Sequence, residues 1–223
     1  MISIIIPTYN ESGNIVELLQ RLFGVMEKTG LKYEIIVVDD NSPDNTAGIA
    51  GKVLPPQYGK VIVRKDKKGL SSAVVDGIRL SSGSIVGVMD SDMSHPPELI
   101  PRMLRPILAG ECELAVGSRY VKGGGCNGWP LKRQITSRVA CMLAMPFTAV
   151  KDSTSGFFFF KKEIIDTNKI NTIGFKIGLE VFVKGRYKTV REIPYVFTDR
   201  KAGASKFSTR QILEYLKQLA CFI

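Results

Sequence analysis

The sequence predicts an α/β fold: a mostly parallel central sheet flanked by helices, in a single domain. Short apolar runs alternate along the chain with longer segments of helical period, which argues for parallel strands joined by helices. Runs such as "SIIIP" and "EIIVVDD" lack inside/outside alternation, as expected of strands buried on both faces. A length of 223 residues with 44% hydrophobic and 23% charged content suits one soluble domain with a sizeable core. The chain shows no internal repeat and no low-complexity segment.

The elements follow in order. "ISIII" (2–6) reads as the first strand. "NIVELLQRLFGVME" (14–27) sets Ile15, Leu18, Leu19, Leu22, Val25 and Met26 on one helical face. "EIIVV" (34–38) is a strand, and 45–54 is a helix weakened by its glycines. "KVIVR" (60–64) is a strand, 70–81 a helix and "SIVGVM" (84–89) a strand. "PPELIPRMLRPIL" (96–108) is a helix opened by proline, and "ELAVGS" (113–118) a strand. Beyond residue 118 the pattern changes. Residues 122–130 read as a loop, 131–145 as a helix, "GFFFF" (156–160) and "TVREIPYVF" (189–197) as strands, and 209–222 as a terminal helix.

Composition narrows the partners. Lys and Arg number 31 against 21 Asp and Glu, a net charge of +10, which suits an anionic partner: nucleic acid, an anionic membrane or a phosphorylated substrate. No nucleic-acid motif accompanies the basic spots at 64–68, 132–138 and 199–206, so nucleic acid is not an expected partner. The cysteines at 112, 126, 141 and 221 have no CxxC spacing, and one histidine is too few for a typical zinc site; they read as reduced thiols. No secretion signal is expected at "MISIII". The longest apolar stretch, 139–150, is short of the ~20 residues a spanning helix needs, so no spanning segment is expected.

In an open parallel sheet, ligands bind beyond the carboxyl ends of the strands. Past the first strand come Pro7, Thr8, Tyr9, Asn10 and Glu11; past the second, Asp39 and Asp40; past "IVGVM", Asp90, Ser91 and Asp92. Three distant segments thus send polar groups to one edge. In an extended segment Asp90 and Asp92 face one side. Two hard oxygen donors suit Mg²⁺ or Mn²⁺, with waters and substrate phosphates completing the shell. The plainer alternative is a turn in which Asp92 or Ser94 caps the helix begun at Pro96. His95 reads as a structural hydrogen-bonder or a ligand contact.

"IIPTYNE", "IIVVDDNSPDNT", "KGLSSAVVDGI", "MDSDMSHPPE", "GSRYVKGG" and "DSTSGFFFFKKE" occur in this order. Together they resemble the inverting family-2 glycosyltransferases of GT-A fold, most closely the dolichol-phosphate (polyprenol-phosphate) mannosyltransferases, over residues 2 to about 216. The resemblance implies a nucleotide-sugar-binding half (1–118) and an acceptor-shaping half (119–223). It implies transfer of mannose from GDP-mannose to dolichyl or polyprenyl phosphate, with a divalent cation. Residue by residue, Pro7, Tyr9 and Glu11 match the guanosine-binding segment, and Val38 and Asp40 the positions that read base and ribose. Asp90, Ser91 and Asp92 match the D-x-D at ribose, diphosphate and metal. Ser94 stands where many relatives place a glutamine as metal ligand, and its shorter side chain puts direct coordination in doubt. Arg119, Arg133, Arg200 and Lys206 match basic residues around the phosphates. Asp92, Arg119 and Arg133 are thus the expected catalytic residues, and Arg133 and Asp152 the expected acceptor contacts.

A phosphate acceptor is already an anion at neutral pH and needs no protein base, whereas a sugar hydroxyl would call for a carboxylate, with Asp152 the nearest candidate. Two alternatives stay open: a polyprenyl-phosphate glucosyltransferase using UDP-glucose, and a non-catalytic nucleotide-sugar-binding module. The helix at 131–145 carries Ile135, Val139, Met142 and Leu143 on one side with Lys132, Arg133 and Arg138 close by. It reads either as a core helix or as one resting in an anionic membrane interface. The second reading makes the protein peripheral on the cytosolic face of a membrane (the endoplasmic reticulum in a eukaryote), with small membrane-anchoring subunits as candidate partners.

"DRKAGASKFS" (199–208) joins donors Arg200, Lys201, Ser205 and Lys206 to a small-residue backbone, the composition of a segment that folds over a diphosphate. Arg200→Ala and Lys206→Ala are expected to lower turnover strongly, and donor plus metal to protect 199–208 from limited proteolysis. Normal turnover in both variants without protection would make it an ordinary basic loop.

Overall fold

The computed structural model describes residues 1–66, 69–172, 176–198 and 209–223. Its first half is a run of strand–helix units. These are β1 (Ile2–Thr8), α1 (Ile15–Thr29), β2 (Tyr33–Asp39), α2 (Thr46–Val53), β3 (Gly59–Val63), α3 (Leu70–Leu80) and β4 (Ile85–Val88). A 3₁₀ turn at Pro97–Leu99 leads into α4 (Ile100–Leu108), and β5 (Leu114–Ser118) follows. The second half holds β6 (Gly125–Asn127), α5 (Leu131–Ala144), β7 (Phe158–Lys161), α6 (Ile177–Lys184), β8 (Val190–Pro194), β9 (Val196–Thr198) and α7 (Thr209–Ala220).

Seven strands form the main sheet in the order β3-β2-β1-β4-β7-β5-β8, with β7 antiparallel to both neighbours and the other pairs parallel. From β1 the chain steps outward through β2 and β3, then returns to place β4 on the other side. The order therefore reverses between β1 and β4, where such sheets bind ligands. The β1–β4 ladder stops at Ile5 and Val88, so β1 is open on that side beyond it. Pro7, which has no N–H to give, is tolerated there.

Both faces of the sheet are covered, which explains the continuous apolar runs. Ile4 and Ile6 join one core layer and Ile5 the other. The four-phenylalanine run divides in the same way: Phe157 and Phe159 pack on one face, Phe158 and Phe160 on the other. Gly87 on β4 is needed for this layer, since a Cβ there would lie 2.1 Å from the Phe159 ring.

Several boundaries differ from the sequence reading. The single strand expected over 189–197 is two, because the chain changes sheets at Tyr195. Its N–H donates to Ser118 O at 3.1 Å in the main sheet, and its carbonyl accepts Gly125 N–H at 3.1 Å in the small one. β9 then pairs with β6, which lies inside the expected 122–130 loop. Helix α6 lies in a region left unassigned, where "IGLEVFVK" shows an apolar run without clear period. β4 ends at Val88, so Asp90–Asp92 sit on a bend rather than in an extended segment. Among the described residues no helix is long and apolar enough to cross a membrane.

Candidate active site

Polar loops from β1, β2 and β4 converge at the reversal point. "DDNSPDNT" acts first as a scaffold. Asp39 is fully buried: its carboxylate accepts from Thr8 Oγ1 (2.8 Å), Ser42 Oγ (2.6 Å) and Ser42 N–H (2.8 Å). The backbone N–H groups of Asn10, Glu11 and Ser12 donate in turn to Ser42 Oγ, Thr46 Oγ1 and Asp44 Oδ2. Asn10, Asn41 and Asn45 take positive φ, a conformation that asparagine tolerates well. These bonds lock the Pro7–Glu11 segment over the second loop. Tyr9 remains 37% exposed at the crevice, and the Glu11 carboxylate accepts from Asn14 Nδ2 at 2.8 Å.

Asp40 is held by a buried cation. Arg64 Nε donates to Asp40 Oδ1 at 2.7 Å and Arg64 Nη2 makes a second, shorter bond to the same oxygen. Asp40 Oδ2 accepts Gly69 N–H at 2.7 Å, while Arg64 Nη1 reaches Asp76 at 3.2 Å. A base or ribose contact by Asp40 would be made by a carboxylate already carrying these bonds. The Val38 side chain is fully buried in the core, which leaves only its main chain to meet a nucleotide.

The two carboxylates of the D-x-D differ. The Asp90 side chain is 35% exposed and faces the crevice. Asp92 is buried, and its Oδ1 accepts both Ser94 N–H (3.1 Å) and Ser94 Oγ–H (2.5 Å). Met93 between them has φ +66°, a left-handed conformation that costs a non-glycine residue about 1–2 kcal/mol. The helix-capping alternative is not what forms: the 3₁₀ turn and α4 have no side-chain cap. Ser91 Oγ donates to Pro7 O at 3.3 Å and bridges the reversal point.

His95 is a structural partner of this bend. Its Nδ1 accepts Asp90 N–H at 3.0 Å, and its ring stacks on Phe157 at 5.0 Å. Burial pushes its pKa down to about 4; Asp92 opposes the shift and Arg119 adds to it. The neutral ring therefore carries its proton on Nε2, 3.8 Å from Asp90 Oδ2, and offers no lone pair to a metal.

Among the described residues no group of three His, Cys, Asp or Glu side chains gathers to cage a metal. The donor set is two carboxylates with the Ser94 hydroxyl beside one of them. That set fits Mg²⁺ or Mn²⁺ held by one or two carboxylates together with waters and diphosphate oxygens, rather than an all-protein cage.

Arg119 directly follows β5. Arg119 Nε and Nη2 grip Asp152 at 2.8 and 2.6 Å, Arg119 N–H adds a bond at 2.8 Å, and Nη2 reaches Thr154 Oγ1 at 2.8 Å. Burial works against this cation, but the fork to Asp152 outweighs it and the Arg119 pKa rises. Asp152 is fully buried; besides Arg119 its Oδ1 accepts from Thr154 Oγ1 at 3.4 Å and from the Cys141 thiol at 4.0 Å, and its carboxylate positions the guanidinium. Arg133 lies over the Trp129 ring at 4.0 Å, and Arg119 approaches the same ring at 5.1 Å. A cavity of about 110 Å³ opens here, lined by Arg119, Tyr120, Gln134 and Arg138 with the 124–126 backbone.

Sequence reasoning missed Lys176. Half-buried at the entry to α6, it donates from Nζ to Thr154 O at 3.1 Å. Burial and then Arg119 push its pKa down to about 8, while Asp90 and Asp152 pull it upward. Its ammonium thus feels both sides of the crevice. Only its place, shortly after "DSTSGFFFF" and beside a helix start, could have marked it. Arg200 and Lys206 lie outside the described residues.

The glycosyl transferase family 2 profile matches residues 3–173. The chain belongs to this family. It is 45% identical over 222 residues to a dolichol-phosphate mannosyltransferase of Pyrococcus furiosus, covering 98% of this chain and 62% of that protein. It is 36% identical to a dolichol-phosphate mannosyltransferase of Saccharomyces cerevisiae, covering 97% of this chain and 85% of that one. The GT-A fold is shared with glucosyl-3-phosphoglycerate synthase of Mycobacterium tuberculosis, solved with Mn²⁺, UDP-glucose and phosphoglyceric acid. There the TM-score is 0.71 at 18% identity, over 99% of this chain and 80% of the other.

Replacing Asp152 by Asn would leave the Arg119 cation buried among neutral partners. Asp152→Asn is expected to cost about 3–5 kcal/mol in urea unfolding; a loss below about 1 kcal/mol would mean that the ion pair does not organise this region.

Proposed function

We propose that this protein transfers mannose from GDP-mannose to a dolichyl or polyprenyl phosphate, with inversion, at the cytosolic face of a membrane. The observation that carries the reading is the pairing of Arg119 with Asp152 beside the cationic cavity. The carboxylate nearest to that cavity by sequence is spent on an arginine and is not placed to act as a base. A phosphate acceptor requires none. Two relatives named dolichol-phosphate mannosyltransferase, one of them spanned over most of its length, support mannosyl transfer to a dolichol phosphate.

In this reading the donor diphosphate lies over Asp90 and Lys176, and the acceptor phosphate enters the cavity lined by Arg119 and Arg138, with Arg133 close by over Trp129. A phosphate oxygen forms the new bond to the anomeric carbon as the bond to GDP breaks; GDP leaves with the electron pair and the centre inverts. The arginines hold two anions in line and screen their repulsion. Lys176 meets the charge that builds on the leaving diphosphate. A bound Mg²⁺ or Mn²⁺, held by Asp90 and Asp92 with the Ser94 hydroxyl near, supplies further charge neutralisation there. From their places in the family pattern, Tyr9, Glu11 and Asp40 take the guanosine, and Arg200 and Lys206 add diphosphate contacts.

The membrane reading rests on α5 and α7. Of α5, only Cys141 and Ala144 are buried; Leu131, Ile135, Val139, Met142 and Leu143 are between 46% and 71% exposed. Leu213 and Leu216 on α7 add to the same kind of surface, and Lys132 and Arg138 are exposed beside it. Apolar side chains among basic ones suit an anionic interface.

A radiolabelled transfer assay offering GDP-mannose and UDP-glucose separately, each with a polyprenyl phosphate, tests the reaction. GDP-mannose is expected to serve and Asp92→Asn to abolish metal-dependent transfer in a folded protein. Transfer from UDP-glucose alone, or full activity of the variant, would overturn the donor or the metal assignment. Flotation with anionic vesicles is expected to carry the protein, and Leu143→Glu to weaken it; no flotation at all would return α5 to a role within the protein. With a pKa of about 8, Lys176 loses its cationic form as pH rises through 8. Donor affinity is therefore expected to fall about tenfold per pH unit above that point in equilibrium titration, and Lys176→Met to flatten this limb.

A further inference from the structure

Helix α7 turns a polar side chain inward. Gln218 is 1% exposed between the buried Tyr215 and Leu219; its Oε1 has no hydrogen-bond partner among the described residues, so the amide is held through its nitrogen alone. Its Nε2 donates to Lys176 O at 3.1 Å and to Glu180 Oε1 at 3.2 Å. Two acceptors on one atom fix which end of the amide is nitrogen. Glu180 is fully buried; its Oε2 takes Asn171 N–H at 3.1 Å and the Lys184 ammonium at 2.8 Å.

The Lys176 carbonyl is the informative partner. It also accepts Leu179 N–H at 3.1 Å as the first bond of the α6 turn. The carbonyl of that peptide thus joins the start of α6 to α7, while the Lys176 side chain reaches Thr154 O. A change in the tilt of this peptide would swing the ammonium across the crevice. The same helix is fastened to α5, the carrier of Arg133, by Tyr215 Oη donating to Ala140 O at 2.6 Å.

We propose that Gln218 is a positioning residue for donor binding: by holding the Lys176 carbonyl it sets the ammonium at the diphosphate, and it ties that setting to helix α7. The proposal rests on the assignment of Lys176 as a diphosphate contact. Gln218→Met keeps the length and volume of the side chain but removes both bonds. A purely structural role for Gln218 would lower thermal stability and leave nucleotide binding alone.

The test is calorimetric titration of the full chain with GDP-mannose and, separately, UDP-glucose between pH 7 and 9.5. It compares wild type, Gln218→Met, Lys176→Met and the double variant, each checked for folding by circular dichroism. Gln218→Met is expected to weaken donor binding about tenfold and to shift the alkaline limb. In the Lys176→Met background it should cause no further loss, since neighbours acting through one group are not additive. Additive losses, or unchanged binding in Gln218→Met, would overturn the proposal while leaving the functional reading intact. Normal binding in Lys176→Met would remove the Lys176 assignment and the proposal with it, and a wild type that binds neither donor would sink the functional reading itself. If Gln218→Met does not fold, Gln218→Asn, which keeps the amide but shortens its reach, carries the same comparison.

Discussion

The buried Arg119–Asp152 pair is the interaction on which the region around the cavity depends. Asp152 accepts from Arg119 at Nε, Nη2 and the backbone N–H. Its own N–H, with that of Lys151, is held by Glu192 on β8 at 3.0 Å. Two carboxylates, Asp152 and Glu192, thus join the end of β5, the segment before β7 and an edge strand. A buried ion pair contributes little net stability compared with a hydrophobic replacement, but leaving one partner alone is costly. What this pair provides is placement: a permanently charged guanidinium at a defined point beside a polar cavity.

An aromatic wedge connects that point to Asp90 and the D-x-D bend. His95 holds the Asp90 backbone, stacks on Phe157 and meets the edges of Tyr195 and Phe197 at 6.1 and 6.3 Å. Phe197 in turn packs edge-on against Trp129 at 5.0 Å, and Trp129 carries Arg133 on its face. The spacing between Asp90 and the arginines at 119 and 133 is therefore set by rigid rings. In-line transfer between two anions needs such fixed separation more than it needs an acid or a base.

The charges of the crevice follow from its burial. His95 is kept neutral and Lys176 is poised near pH 8, whereas Arg119 is kept charged by its carboxylate. Burial and neighbouring charges thus leave an uncharged spacer, a cation poised near pH 8 and a fixed cation. Helices α5 and α7 carry the exposed apolar surface, and α7 bonds both to Ala140 of α5 and to Lys176, one of these groups. The surface suited to lipid and the crevice suited to nucleotide share a framework.

Much of this was legible in sequence because it is local. Apolar runs without alternation specify strands buried on both faces, and the strand-end acids at 39–40 and 90–92 specify which edge of the sheet is polar. The order of motifs from "IIPTYNE" to "DSTSGFFFF" places the chain in its family. Tertiary structure decided what depends on distant partners. That β7 inserts antiparallel between β4 and β5, and that 189–197 breaks between two sheets at Tyr195, follow from pairing that no local pattern encodes. Asp40 and Asp152 look like free ligands in sequence; Arg64 and Arg119 claim them because a carboxylate and a guanidinium brought together away from water bind each other first. Lys176 carries no motif of its own. Its lowered pKa and its place between Asp90 and Arg119 exist only once burial and neighbouring charges are assembled around it.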